Sequence, residues 1–135
     1  MFYEWAIAVP ANTTEAAPIT QEMKLTKGVI TRIEIQFPTG CAGLAHCRIL
    51  EGTIQKWPTP PSTSFASDGY TVPIEENYEL ENLPATLFAK AWNLDDTYDH
   101  TIYVRVGVLR GEGALLANKV FAGLGKMLQL MGIKV

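Results

Sequence analysis

The side chains best suited to chemistry stand together in one short acidic stretch of the sequence. It holds Asn93, Asp95, Asp96, Asp99 and His100. Carboxylate and amide oxygens are the ligands that a hard cation such as Ca²⁺ prefers. The spacing lacks the glycine and the distal glutamate of an EF-hand loop, and Asp and Asn also stabilise hairpin turns by bonding nearby backbone amides. We therefore favour a turn; ligand binding by the three aspartates, and an enzyme built on them with His100, are the weaker alternatives.

The rest of the sequence offers little catalytic chemistry. His46 is the only other histidine, and it stands in an alternating apolar segment, which favours a hydrogen-bonded histidine within a sheet. The sequence has no Gly-x-Ser-x-Gly elbow and no glycine-rich phosphate loop after a strand. Cys41 and Cys47 lack the paired spacing of a zinc site; we expect reduced thiols in the core, with a bridge between them as the alternative. We predict no catalytic residue, no metal site and no cofactor, and hence a protein that is not an enzyme.

Exposed aromatic rings beside polar side chains are what a carbohydrate-binding surface needs. Trp57 stands where a long loop without strand signals, residues 58–69, begins, and Tyr70 follows that loop. These two rings are the candidates for a ligand platform, and we expect Trp57 to be exposed. Trp92 alternates with Phe88, which favours a place for Trp92 in the core. The loop is either a binding loop or a stiff polyproline-like crossover.

The composition indicates one globular domain. The chain has 135 residues, of which 47% are hydrophobic and 19% are charged, and this balance excludes a disordered chain. It contains no apolar run of roughly 20 residues, the length that a membrane-spanning helix needs. A net charge of −3 argues against nucleic acid as a partner, because phosphate contacts need clustered Lys and Arg. Residues 1–5 have no basic stretch before an apolar segment and do not resemble a secretory signal. The sequence does not assign a compartment and leaves the cytoplasm and a virion as the two alternatives.

Strand signals fill most of the first 110 residues. Within residues 27–37, the odd-numbered positions from Val29 onward share one face, and Ile30 faces the other way. The same alternation predicts strands at residues 2–9 and 101–109. Shorter candidates are residues 22–26, 44–51, 53–57, 70–74 and 86–93, each bounded by Gly, Pro, Asn or Asp. About eight short strands without an intervening amphipathic helix predict an all-β fold, an antiparallel β-sandwich with jelly-roll connectivity as the first choice.

Residues 111–135 differ in character from the β-sandwich domain predicted for residues 1–110. After a glycine-rich joint, apolar residues recur at alternating spacings of three and four, which predicts an amphipathic helix. The expected oligomer contacts on its apolar stripe are Val120, Phe121, Leu124, Met127, Leu128 and Met131. This segment has three lysines and one glutamate, a net charge of +2, whereas residues 1–110 have eight basic and thirteen acidic residues, a net charge of −5. The helix could bundle with copies of itself, cover its own domain or lie on a membrane surface, and we favour the first.

Two stretches of the sequence carry a resemblance to known proteins. They read ANTTEAAP at residues 11–18, leading into LTKGVI at residues 25–30, and AWNLDDTYDHTI at residues 91–102. Together they resemble small, uncharacterised β-sandwich (jelly-roll-like) proteins of phages and environmental viral sequences. The resemblance covers most of residues 4–110, and it implies a role in a virion or in its assembly, with no catalytic residue.

The function predicted from the sequence is that of a non-enzymatic structural or assembly module. We expect it to form a homo-oligomer through residues 111–135, with a capsid or other virion protein as a further partner. The alternative is a carbohydrate-binding module that uses Trp57 and Tyr70. Contact of the C-terminal segment with a membrane surface is less favoured, and nucleic acid is not expected as a partner.

Overall fold

The computed structural model describes residues 1–80, 83–110 and 123–124. Its nine strands in these ranges are β1 (Phe2–Val9), β2 (Ile19–Lys24), β3 (Gly28–Phe37), β4 (Ala45–Glu51), β5 (Ile54–Trp57), β6 (Phe65–Ala66), β7 (Tyr70–Glu79), β8 (Thr86–Asn93) and β9 (His100–Arg110). The all-β prediction is confirmed, and β1 and β8 have the predicted bounds. Alternating β-branched and aromatic residues, separated by Gly, Pro, Asn and Asp, explain why these segments form strands.

The strands form two antiparallel sheets around one hydrophobic core. Sheet A has the order β1-β9-β3-β7, and sheet B has the order β2-β8-β4-β5. The short strand β6 is the fifth strand of sheet B and pairs with β4. The core includes Ile7, Ile33, Ile102 and Val104 from sheet A and Met23, Ile49 and Leu87 from sheet B. We call these two sheets with their described loops the two-sheet body. Burial of these apolar side chains is the main force that holds the sheets together.

β3 departs from simple alternation at a β-bulge. The ladder between β3 and β9 runs from Ile30 directly to Arg32, so Thr31 is an extra residue on β3. The bulge turns Ile30 into the core, where it is fully buried, and leaves Thr31 exposed. The prediction that Ile30 faces away from Ile33 is therefore wrong, because strict alternation assumes one residue for every position of the ladder.

β2 begins at Ile19, three residues before the predicted start, and two further segments contain more strand than predicted. The long loop of residues 58–69 includes β6, which pairs with His46 and Cys47. β7 continues past Ile74 to Glu79 as the edge strand beside β3. Its last five residues include three glutamates and lie beyond the strand predicted for residues 70–74, although Glu is depleted in strands. On an edge, charged side chains and Pro73 can remain in water and discourage pairing with other chains.

Most of the predicted C-terminal helix, residues 111–135, lies outside the described residues. Gly123 and Leu124 are the two described positions, and the side chain of Leu124 is 53% exposed. Within the ranges that the structure describes, no helix has the length and apolar character needed to cross a membrane.

Candidate functional site

The predicted acidic cluster lies in the connection between β8 and β9, where Asp95 and His100 meet. The Nε2 atom of His100 lies 2.9 Å from Oδ2 of Asp95, and both residues are buried. The other carboxylate oxygen, Oδ1, accepts hydrogen bonds from the backbone amides of Thr97 and Tyr98, at 2.9 and 3.2 Å. An aspartate that binds the amides two and three residues later is a turn-forming aspartate.

Asn93 connects this turn to the end of β1. Its side chain is fully buried, and its Nδ2 donates to the carbonyl oxygens of Val9 and Tyr98, at 3.3 and 2.9 Å. Its Oδ1 accepts a 3.0 Å hydrogen bond from the backbone amide of Asp95. Both ends of the Asn93 amide are therefore bound by the chain itself. We call Asn93, Asp95 and His100 the Asp95 brace.

The segment after β1 packs against the brace. The backbone amide of Ala11 donates a 2.8 Å hydrogen bond to Oδ1 of Asp99. The backbones of Thr13 and Asn93 exchange two hydrogen bonds of 3.0 Å each. These partners are about eighty positions apart in the sequence, so the local sequence pattern could not predict these hydrogen bonds. The third predicted ligand, Asp96, is exposed and accepts a 2.8 Å hydrogen bond from the hydroxyl of Thr97.

The bonds within the brace keep Asp95 ionised. The backbone amide of Thr97, followed by the imidazole of His100, holds the pKa of the Asp95 carboxyl below its ordinary value, and these effects outweigh desolvation. A carboxylate whose two oxygens are both bound by its own loop stabilises a turn and offers little to a ligand. Among the described residues, no group of three or more His, Cys, Asp or Glu side chains is placed to hold a metal ion.

The two predicted carbohydrate-binding rings differ in exposure. Trp57 is only 4% exposed, and its Nε1 donates a 3.1 Å hydrogen bond to Oε1 of Glu76. Its ring meets the ring of Tyr78 edge-on, with centroids 5.4 Å apart, so these contacts join the edge strands β5 and β7 of the two sheets. Tyr70 is 57% exposed at the start of β7. The expectation that Trp57 is exposed is therefore wrong, because residues of the opposite sheet cover it.

Sheet B carries a second buried tryptophan outside the core cluster. Trp92 is 3% exposed, and the imidazole of His46 stacks on it with centroids 5.3 Å apart and planes within 4°. The guanidinium of Arg48 lies over the same ring at 5.2 Å and binds Glu15 at 3.3 Å. Nδ1 of His46 lies 3.0 Å from the hydroxyl oxygen of Ser64. The predicted hydrogen-bonded sheet histidine is confirmed, and it helps to cover a tryptophan on the outer face.

Farther along sheet B this cover ends and a groove of about 470 Å³ opens. Its apolar lining comes from half-buried Phe88, from Pro84 and from Ile54, which is 62% exposed. Glu22 and Glu51 add a carboxylate on either side, and Glu22 stands directly opposite Phe88 in the ladder between β2 and β8. We call this feature the Phe88 groove. Sequence reasoning missed it, because it depends on which strands are neighbours.

The two cysteines are buried free thiols, as the sequence predicted. Burial raises the pKa of the Cys47 thiol to about 12, so the nucleophilic thiolate is strongly disfavoured at neutral pH. The Sγ atom of Cys41 lies 2.8 Å from the carbonyl oxygen of Ser67. Both side chains fill space within the two-sheet body.

Of the six predicted oligomer contacts, Leu124 lies in the described part of the chain. Val120, Phe121, Met127, Leu128 and Met131 lie outside the described residues. No protein-family model matches the sequence, and no curated protein matches it. The function is therefore argued from the contacts and the surfaces described above.

Proposed function

We propose that the protein is a non-enzymatic structural or assembly module that associates with copies of itself through residues 111–135. The observation that carries this proposal is the exposure of Leu124. This residue belongs to the predicted apolar stripe, yet 53% of its surface is accessible in the single chain. An amphipathic segment rich in glycine needs a surface to cover its apolar side, and that surface is supplied by a second copy.

We propose a jelly roll, a form of β-sandwich, as the fold of the two-sheet body, followed by a C-terminal amphipathic helix. Apart from the two-residue strand β6, eight strands divide into β1-β9-β3-β7 and β2-β8-β4-β5. Successive strands of this set alternate between the sheets except at β4 and β5. Eight strands divided in this way over two sheets support jelly-roll connectivity, which is used by viral capsid proteins and by lectins.

The contacts of the polar clusters support a structural role. The brace residues Asn93, Asp95 and His100 form hydrogen bonds with other groups of the same chain. Trp57 joins the two sheets through its hydrogen bond. The resemblance to phage proteins and the proposed jelly roll together favour a place in a virion, with a capsid protein or further copies of this chain as partners. For the carbohydrate-binding alternative, Tyr70 is the exposed ring of the two candidates.

Multi-angle light scattering and sedimentation velocity test the proposal on the full chain. We expect a discrete oligomer at micromolar concentration. Leu124→Glu puts a charge on the predicted apolar stripe and should produce monomers with an unchanged circular dichroism spectrum. Gln129→Glu is the matched control: it introduces the same charge on the opposite side of the predicted helix and should leave the oligomer intact. A wild-type chain that is monomeric under these conditions would contradict the proposal.

A further inference from the structure

We infer that the Phe88 groove is the docking site for residues 111–135 of a second copy of this chain. The inference rests on the proposed function and adds to it the surface that receives the segment. In a dimer with two-fold symmetry, each copy would place its C-terminal segment in the groove of the other.

Large apolar side chains are covered at one end of the outer face of sheet B and open at the other. On β8, Trp92 is covered by His46 and Arg48 and is 3% exposed. At the other end of the same strand, Phe88 lies in an open groove beside Ile54. Large apolar side chains that line an open groove in one copy favour an apolar occupant. The predicted stripe of residues 111–135 is such an occupant.

The charges of the groove complement those of the C-terminal segment. Among the described residues, the charged side chains that line the groove are Glu22 and Glu51, and the basic residue Lys24, opposite Thr86 in the ladder, does not line it. Because Oε1 of Glu51 already accepts a 3.1 Å hydrogen bond from the hydroxyl of Tyr78, the exposed Glu22 provides the main attraction for lysines. Residues 113–135 contain three lysines and no acidic residue. The carboxylates beside the apolar floor of the groove therefore complement the lysines beside the apolar stripe of the segment. Such charge complementarity favours this segment as the partner and sets its orientation in the groove.

The C-terminal segment begins near the groove. Arg110, the last residue of β9, pairs with Gly28, and the nearby end of β2 at Lys24 pairs with Thr86, which lines the groove. The segment thus leaves the body at the end where the groove lies. As a helix, its 25 residues would span roughly 38 Å, which is long enough to reach a neighbouring body.

A second open groove, of about 580 Å³, lies on sheet A and is lined by Phe2, Leu109 and Arg32. Phe2 is 59% exposed, so this groove is also apolar. Arg32 in this groove is already paired with Glu34 at 2.8 Å and with Glu75 at 3.7 Å, whereas Glu22 gives the Phe88 groove a carboxylate that attracts lysines. The second groove therefore provides the control for the first.

Disulfide trapping between two different full-length variants tests the inference. One chain carries Ile54→Cys in the Phe88 groove, and the other carries Leu124→Cys in the C-terminal segment; the native cysteines are buried. After mixing and mild oxidation, we expect this pair to cross-link at least about tenfold faster than Leu124→Cys with Phe2→Cys, because docking raises the local thiol concentration. Equal rates for the two pairs would overturn the inference.

The chain that carries Ile54→Cys and Leu124→Cys together distinguishes the remaining cases. Cross-linking within single chains, without cross-linking between chains, would mean that the segment covers its own groove and would overturn both the inference and the proposed function. A stable wild-type oligomer without trapping at Ile54 would overturn the groove assignment and leave the proposed function standing. A monomeric wild-type chain would remove both.

Charge reversal gives a second measurement that needs no cysteine. Glu22→Lys should weaken self-association about two- to fivefold, the range expected for one exposed ion pair. Glu75→Lys makes the same change of charge on sheet A, where the Glu75 side chain is 89% exposed, and it should leave the association constant unchanged. Equal effects of the two variants would contradict docking in the Phe88 groove.

Discussion

The imidazole of His100 lies 2.9 Å from the carboxylate of Asp95, and the two residues close the connection between β8 and β9. Asp95 also accepts hydrogen bonds from two backbone amides of the turn, and these bonds favour its ionised form. Asn93 then ties this turn to the end of β1. The brace thereby couples one strand of sheet B to two strands of sheet A.

Asp95→Asn should lower stability and flatten its dependence on acidic pH. The pKa of Asp95 is lower in the folded chain than its ordinary value of 3.8, so the unfolded state binds more protons in this range. Its contribution is fully present above that ordinary value and is lost as pH falls through the folded-state pKa. Urea unfolding between pH 7 and pH 2 measures the effect. Asp96→Asn is the control, since Asp96 is exposed; equal effects of the two variants would contradict the brace.

Arg48→Met should expose one face of Trp92 and lower the free energy of unfolding by about 0.5–2 kcal/mol, the range for a cation above an aromatic ring. We expect a loss in the lower half of that range. Nε of Arg48 is buried without a hydrogen-bond partner among the described residues, which destabilises the folded chain, and methionine has no such polar atom. Tryptophan fluorescence should shift to longer wavelength. Arg32→Met is the control and should leave the emission unchanged. The side chain of Arg32 is 39% exposed and forms its ion pairs on sheet A.

His46→Phe should remove a loss of stability that begins in mildly acidic solution. Burial lowers the pKa of His46 below its ordinary value of 6.5, and Glu15 opposes this only in part. Below pH 6.5 the unfolded chain therefore takes up a proton before the folded chain does, so stability falls with pH until the folded-state pKa is passed. Phenylalanine keeps a ring against Trp92 but cannot titrate. Thermal unfolding at pH 7.5 and pH 5.5 should show a smaller difference for the variant than for wild type.

Most of the strands could be predicted from the sequence, whereas the grooves on the two sheets could not. Alternation located β1, β3 and β9, because each has one face in a continuous core and period-two burial is visible in one strand at a time. It failed at Ile30, where one extra residue reverses the faces. The exposure expected for Trp57 from its place at the start of the long loop was also wrong, because Glu76, which binds its ring nitrogen, lies on the other sheet. The Asp95 turn was predictable since its hydrogen bonds are local, but its attachment at Ala11 joins distant parts of the chain.

Gly28→Ala should disrupt the pairing of β3 with β9. A β-carbon on Gly28 would overlap the backbone carbonyl oxygen of Leu109, and a backbone atom in a ladder cannot move aside without breaking hydrogen bonds. We expect a loss of about 1–3 kcal/mol, the usual cost of overpacking. Gly107→Ala is the matched control: its β-carbon would lie 3.3 Å from the side chains of Phe2 and Thr31, and the exposed Phe2 ring can rotate away. Urea unfolding should therefore show a clearly smaller loss for Gly107→Ala, and an equal loss would mean that the close approach at Leu109 is not what requires glycine at position 28.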